Sequence, residues 1–267
     1  MVCVPMSDEL VERRQVIIWE KAGASRSAVR LVREAPLTLF LDGEELVTLL
    51  CTGQHPEDLA VGFLRSEGII DSWEEVSSLK ADDEAGTVSV GLRGQRRMRK
   101  ELLLRRTLGA GCGRASLYYQ PLDGMQIRPV GPGPKLQIER IQLLMREMNL
   151  KGALYREARA THAAGLANER ELVLFREDIG RHNAVDMIVG HAMRTGISLE
   201  DKLLLTTGRA SSEIVLKAAR VGIPVVASRS AATALGVRLA QEVGMTLVGS
   251  VRGGRMTVYC HAERLGL

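Results

Sequence analysis

Leu203–Gly249 reads LLLTTGRASSEIVLKAARVGIPVVASRSAATALGVRLAQEVGMTLVG. Leu203–Thr206, Val225–Ser228 and Thr246–Gly249 are short apolar runs of strand length. Between them lie two helical stretches. Ser211–Arg220 opens on Ser211 and Ser212, good cap residues, and stops at Gly222. Ala231–Val243 is alanine-rich and stops at Gly244, and Met256–Tyr259 adds a further strand. Short apolar strands alternating with helices predict βαβ units and a largely parallel sheet. In such a domain the loops after the strands are where ligands bind.

Working back along the chain, Glu171–Phe175 reads as a strand. Leu136–Met148 reads as an amphipathic helix with Leu136, Ile141, Leu144, Met145 and Met148 on its apolar side. Pro121–Pro134 (PLDGMQIRPVGPGP) holds four of the eight prolines and three glycines, so it continues neither a helix nor a central strand. A boundary there divides the chain into residues 1–128 and 129–267. In the first part, Arg14–Glu20 and Gly86–Leu92 read as strands. Leu37–Leu41 and Glu45–Leu50 form a hairpin around Asp42-Gly43. His55–Ser66 reads as a helix with Pro56 near its start. The fold class is therefore α/β, with a smaller N-terminal α/β lobe.

The 267 residues are enough to bury a core without disulfides or a structural metal. Hydrophobic residues make up 45% and charged residues 25%, which excludes a disordered or fibrous chain. Aromatics are only 3%, so the core is aliphatic and a base-stacking nucleic-acid surface is disfavoured. The net charge of +4 permits an anionic ligand without arguing for DNA. No stretch approaches the ~18 apolar residues of a membrane span, and the N-terminus lacks a signal-peptide core. Cys3, Cys51, Cys112 and Cys260 are scattered and form no CxxC pair. That favours free thiols in a cytoplasmic protein and disfavours a zinc site.

Three constellations could carry chemistry. Cys112 sits in Gly109-Ala110-Gly111-Cys112-Gly113, where glycines leave a thiol accessible. The arginines and lysine from Arg93 to Arg106 favour its thiolate. The alternative is an inert loop cysteine beside a solvated basic face. Arg176-Glu177-Asp178-Ile179-Gly180-Arg181-His182-Asn183 follows a strand. Arg181 could fork onto a phosphate and His182 could move a proton or hold an anion. The alternative is an internal salt-bridge network anchoring the next helix. The third is a pair of Gly/Arg loops, with Gly208, Arg209 and Ser211 in one and Ser250, Val251, Arg252, Gly253, Gly254 and Arg255 in the other. The first leads into a helix start, whose free N–H groups favour anions. Together they suggest a large anionic ligand. His162, in Thr161-His162-Ala163-Ala164-Gly165, is as readily a core histidine.

These motifs, with Leu46–Thr52, Leu59–Ile70, Ser230–Thr233 and Gly254-Arg255, resemble the formate dehydrogenase accessory protein family, FdhD, over nearly the whole chain. The resemblance implies a sulfur carrier in molybdenum-cofactor maturation. Such a protein takes persulfide sulfur from a cysteine desulfurase and passes it to a molybdenum or tungsten bis(pterin guanine dinucleotide) cofactor. The client is formate dehydrogenase. It also implies a cytidine-deaminase-like C-terminal mixed sheet with flanking helices and without zinc, a homodimer, Cys112 as the persulfide cysteine, and the 250–255 stretch as cofactor-binding. Many members carry CxxC at the thiol loop. Here the run is Cys112-Gly113-Arg114-Ala115, so a resolving thiol within the loop is absent. A rival reading is a chaperone that binds the cofactor or guanine nucleotides without covalent sulfur. A more distant one is a thiol hydrolase using Cys112 and His182.

Overall fold

The computed structural model describes residues 10–94 and 128–267. Cys112, Cys3 and the basic run from Arg96 lie outside the described residues. Six strands form the largest sheet: β7 (His162–Ala167), β8 (Leu172–Asp178), β9 (Leu203–Thr206), β10 (Val225–Ser228), β11 (Thr246–Arg252) and β12 (Arg255–Cys260). Their spatial order is β12-β11-β10-β9-β7-β8. The expected βαβ units are present as parallel β9, β10 and β11. The other three pairings are antiparallel, so the sheet is mixed and not largely parallel. β8 returns on β7 and β12 on β11 through tight connections, which only antiparallel pairs permit.

Side chains alternate across this sheet as the two-residue period of a strand requires. Leu204, Val226 and Leu247 face one core, and Leu203, Leu205, Val225, Ala227 and Val248 face another. The first core is covered by α4 (Arg181–Thr195), α5 (Ser212–Arg220) and α6 (Ala234–Glu242). The second is covered by α2 (Ile138–Lys151), through Ile141, Leu144, Met145 and Met148. Each fully buried leucine or valine contributes about 1.5–3 kcal/mol. A six-residue helix, α3 (Ala153–Ala158), follows α2.

The earlier residues build a four-stranded sheet, β4-β3-β6-β5, from β3 (Ala35–Leu41), β4 (Glu44–Cys51), β5 (Val76–Asp82) and β6 (Thr87–Leu92). The anticipated hairpin turns at Asp42-Gly43, both at positive φ. α1 (Pro56–Ser66) packs on this sheet and fills its core with Leu59, Phe63 and Leu64. The other face of α1 crosses α4 through Gly62 and Gly190. A Cβ on Gly62 would fall 1.7 Å from the Asp186 carbonyl oxygen, and one on Gly190 would fall 1.9 Å from that of Asp58. Only glycine permits so close an approach. The strand expected at Arg14–Glu20 is part of a ten-residue β1 (Val11–Glu20), paired along its whole length with β2 (Gly23–Val32).

Candidate functional site

The strand ends of the parallel stretch open on a cavity of about 610 Å³, lined by Thr207 after β9, Arg229, Ser230 and Ala231 after β10, and Ser250 and Arg252 on β11. That volume lies in the range of small-molecule sites. Ser250–Arg252 are strand residues, not the loop expected of them. The turn is Gly253-Gly254 alone, both at positive φ, as a two-residue hairpin requires. Ser250 also has a positive φ of 54° and donates its N–H to the Ser230 carbonyl at 2.8 Å, which ties the two strand ends together.

The other wall comes from α2, α3 and the loop before β7. Arg159 closes α3 in the left-handed region, and its guanidinium stands 5.4 Å over the Tyr155 ring. Asn149, Thr161 and His162 line the same wall. The acid among them is Glu177, and its oxygens are already engaged. They accept from the Leu154 N–H at 3.1 Å, the Tyr155 N–H at 2.7 Å and the Thr161 hydroxyl at 2.7 Å. Glu177 thus fixes the wall, while Arg159, Arg229 and Arg252 leave the cavity positive. Such a site selects an anion.

His162 stands against a cationic group at the edge of the cavity. Burial lowers its pKa first, and Arg181, His182 and Arg209 lower it further. Its Nδ1 lies 3.4 Å from the Thr207 hydroxyl. Behind it, His182 Nε2 meets Glu213 at 2.9 Å, with Arg181 at 4.0 Å from the same oxygen. The bond from His182 is the main reason the Glu213 carboxyl lies below its usual range. Gly208 makes this arrangement possible, because a Cβ there would stand 2.8 Å from the Cβ of Arg181.

The Arg176–Asn183 motif therefore divides. Arg181 and His182 join the group behind His162. Asp178, Asn183 and Arg176 serve the scaffold. Asp178 is fully buried and accepts from the Thr52 N–H and hydroxyl, the Gly180 N–H and the Asn183 amide. Burial nonetheless pushes its carboxyl up. Asn183 donates a second bond to the Leu50 carbonyl at 2.8 Å. Ser211 occupies the cap position of α5, but its hydroxyl makes no cap bond and is buried without a partner among the described residues. Gly208, Arg209, Ser211 and Arg255 stand off the lining of this cavity, as does the buried Val251. Sequence reasoning missed Asn149, Tyr155, Arg159 and Arg229. Arg229 carried a usable signal, since it sits one residue past an apolar strand, where α/β domains place ligand contacts.

Neither described cysteine is poised to react. Cys51 is buried, donates toward the Ala35 carbonyl, and burial pushes its thiol up to about 11. Cys260 donates to the Met245 carbonyl at 3.3 Å, and burial raises it too. Among the described residues no group of three or more His, Cys, Asp and Glu could hold a metal ion. No described helix is long and apolar enough to cross a membrane.

Comparison with known proteins places this architecture. Residues 32–266 match the model of the FdhD/NarQ family. The chain is 37% identical to the sulfur carrier protein FdhD of Bacillus subtilis, over 97% of this chain and 99% of that one. It is 34% identical to the sulfur carrier protein FdhD of Geobacillus kaustophilus, with the same shares covered. A crystal structure of a protein assigned as a formate dehydrogenase accessory protein, from Desulfotalea psychrophila, superposes with a TM-score of 0.79. That likeness covers 96% of this chain and 99% of the other, at 26% identity. The chain belongs to the FdhD/NarQ family.

Proposed function

We propose that this chain carries sulfur to a molybdenum or tungsten bis(pterin guanine dinucleotide) cofactor destined for formate dehydrogenase. The observation that carries the reading is the cavity at the strand ends, where Arg159, Arg229 and Arg252 face a single, fully engaged carboxylate. Such a lining suits the phosphates of a nucleotide cofactor. Ser250–Arg255 are the binding residues the family resemblance points to, and Arg181, His182, Asn183, Gly208, Arg209 and Ser211 are candidates from their polar and glycine-rich motifs. Of these, Ser250 and Arg252 line the cavity itself. The curated relatives bear the name sulfur carrier, which supports the same reading.

The carrier is Cys112, flanked by Gly111 and Gly113. Its thiolate attacks the outer sulfur of a cysteine desulfurase persulfide. The new S–S bond forms as the donor's S–S bond breaks, and the donor leaves as a thiolate. The outer sulfur then passes to the metal of the cofactor. The metal supplies two electrons as it takes the sulfur as sulfide, and Cys112 returns to thiolate. Burial raises the Cys51 and Cys260 thiols above their ordinary range, which disfavours their thiolates. Relay by one thiol is consistent with Ala115 at the position of a second cysteine. The working form is a cytoplasmic homodimer.

Intact mass after incubation with a cysteine desulfurase and free cysteine tests this. The wild type gains one sulfur atom, lost again on reduction, and Cys112→Ala gains none. If the folded, reduced wild type gains none from a matched desulfurase, the chain is a cofactor chaperone without covalent sulfur.

A further inference from the structure

β1 and β2 form a sheet of two strands, paired along their whole length and joined at Lys21-Ala22. The base of this arm is anchored. Val11 is buried, and Arg30 meets Glu157 of α3 at 3.2 Å. Among the described residues, none of the arm joins the three apolar cores. Ile17 and Trp19 are 71% and 77% exposed, and Ile18 and Leu31 are exposed with them. A two-stranded hairpin is marginal in water, and three or more strands are needed for a stable sheet. A long edge strand with exposed apolar residues is also a template for another strand. The outer edge of β1 has no strand beside it among the described residues.

We infer that this edge pairs antiparallel with β1 of a second copy of the chain, joining two arms into one four-stranded sheet about a twofold axis at Ile17. The inference rests on the homodimer reading above and names the surface that makes the dimer. A twofold axis normal to the sheet must pass through a residue, because side chains alternate between the faces with a period of two. The sequence of β1 selects which one. An axis at Ile17 sets Ile17 against itself, Val16 against Ile18, Gln15 against Trp19 and Arg14 against Glu20. Apolar residues then meet at the centre and opposite charges meet at both ends. Arg13 faces Lys21, which lies in the turn past the last strand pair. Within one copy Arg14 already pairs with Glu12, and Glu20 of the second copy approaches the same guanidinium from across the strands. An axis at Val16 sets Glu12 against Glu20. An axis at Gln15 sets Arg13 against Ile17 and Glu12 against Ile18. An axis at Ile18 leaves Arg14 against Ala22 of the turn. Directly opposite side chains are the unit of sheet stability, and like charges there are unfavourable.

Sedimentation velocity on the full chain tests this. Trp19 and Trp73 are the two tryptophans, so Trp19 emission in a Trp73→Phe background is the local readout. The wild type sediments as a dimer, and Trp19 emission shifts to the red as dilution separates the copies. Ile17→Lys, at an exposed position outside the cores, sets two lysines against each other. It raises the dimer dissociation constant at least about a hundredfold and leaves the circular dichroism unchanged. Arg14→Glu and Glu20→Arg each weaken the dimer about tenfold, since two like-charge pairs replace two opposite ones. The double variant restores it to within about threefold. A dimer that Ile17→Lys leaves intact overturns the arm as the interface while the homodimer reading stands. Dissociation without a red shift does the same. A double variant as weak as the single ones overturns the axis at Ile17. A wild type that stays monomeric at every concentration overturns the homodimer reading as well.

Discussion

Two charged clusters contrast: the one that joins α1 to α4 is closed, and the one at the strand-end cavity is open. In the closed cluster Asp58 of α1 accepts from Arg176 at 2.7 Å and from Arg194 at 2.6 Å, with His191 at 3.1 Å. Next to it Asp186 of α4 accepts from Lys217 at 2.8 Å and from Ser66 at 2.6 Å. Every one of these cations has its acid, and the carboxylates are buried. In the open cluster Arg159, Arg229 and Arg252 share a cavity with a carboxylate committed to backbone N–H groups. The difference teaches that a dense polar motif is not itself a site. Charge balance separates a clamp between elements from a surface awaiting an anion.

Breaking the closed cluster has the largest effect. Asp58→Ala leaves the buried Arg176 without its acid, while Arg194 keeps Glu57, and costs about 3–5 kcal/mol by urea unfolding. The pH dependence has a definite sign. Burial works to raise the Asp58 carboxyl, but the bonds from Arg176 and Arg194 outweigh it and hold the group below its ordinary value. A carboxylate depressed in the fold contributes stability that is fully present above its unfolded pKa and is lost as pH falls through the folded one. The gap between wild type and Asp58→Asn is therefore full at neutral pH and shrinks only below about pH 4. A gap that closes between pH 7 and 5 would show that the cluster is not what clamps α1 to α4. Gly62→Ala attacks the same clamp by volume, since its methyl meets the Asp186 carbonyl at 1.7 Å, and costs about 3 kcal/mol.

Opening the comparison from the other side, Arg252→Ala changes binding and not folding. Arg252 is exposed, so its loss moves the urea midpoint by no more than about 0.5 kcal/mol. Losing one charged hydrogen bond to phosphate costs about 1.5–3 kcal/mol of affinity for GDP, or roughly ten- to a hundredfold. A variant that loses stability and keeps affinity would place Arg252 in the scaffold.

How legible each cluster was follows from these same physical terms. The β9–β11 stretch was readable because apolar runs and glycine stops repeat there, and its helices and strands lie within a few residues of their expected bounds. The antiparallel surroundings were not readable, because pairing is decided between segments distant in sequence. His162–Ala167 is a six-residue strand whose small residues carry no alternation. The open site was half legible. Ser250 and Arg252 were identified from their glycine-rich context, but Tyr155, Arg159 and Arg229 are lone residues of elements that meet only in the fold. The Arg176–Asn183 motif was legible as important and illegible as to role, since its partners Thr52, Asp58 and Glu213 lie more than thirty residues away in the chain.

Helix caps repeat the contrast on a smaller scale. Thr233 caps α6 by accepting from the Gly236 N–H at 3.2 Å, and Thr233→Ala costs about 1 kcal/mol. Ser211 stands at the same position of α5 without making the bond. Ser211→Ala therefore moves the urea midpoint by less than about 0.5 kcal/mol. Equal losses in the two variants would mean that Ser211 caps its helix in solution and that its hydroxyl is not left open.

The smallest effect separates the clusters by the sign of their response to protons. His162 is held below its ordinary value by burial and by Arg181, His182 and Arg209, so it is neutral at pH 7. With no ligand, the unfolded chain binds this proton more readily than the fold does. His162 therefore subtracts stability as pH falls below about 6.5. An anion in the cavity reverses part of that cost, because a negative charge beside the imidazole draws its pKa back up. Binding then takes up a proton, and affinity rises as pH falls. P1,P2-diguanosine diphosphate is the proper probe, since its bridging phosphates do not titrate in this range. Between pH 7 and 5.5 its affinity rises about threefold in the wild type and stays flat in His162→Gln. Asp58→Asn keeps the wild-type slope, because the closed cluster already has its counter-charges. A slope that survives in His162→Gln would show that His162 is not the group that takes up the proton.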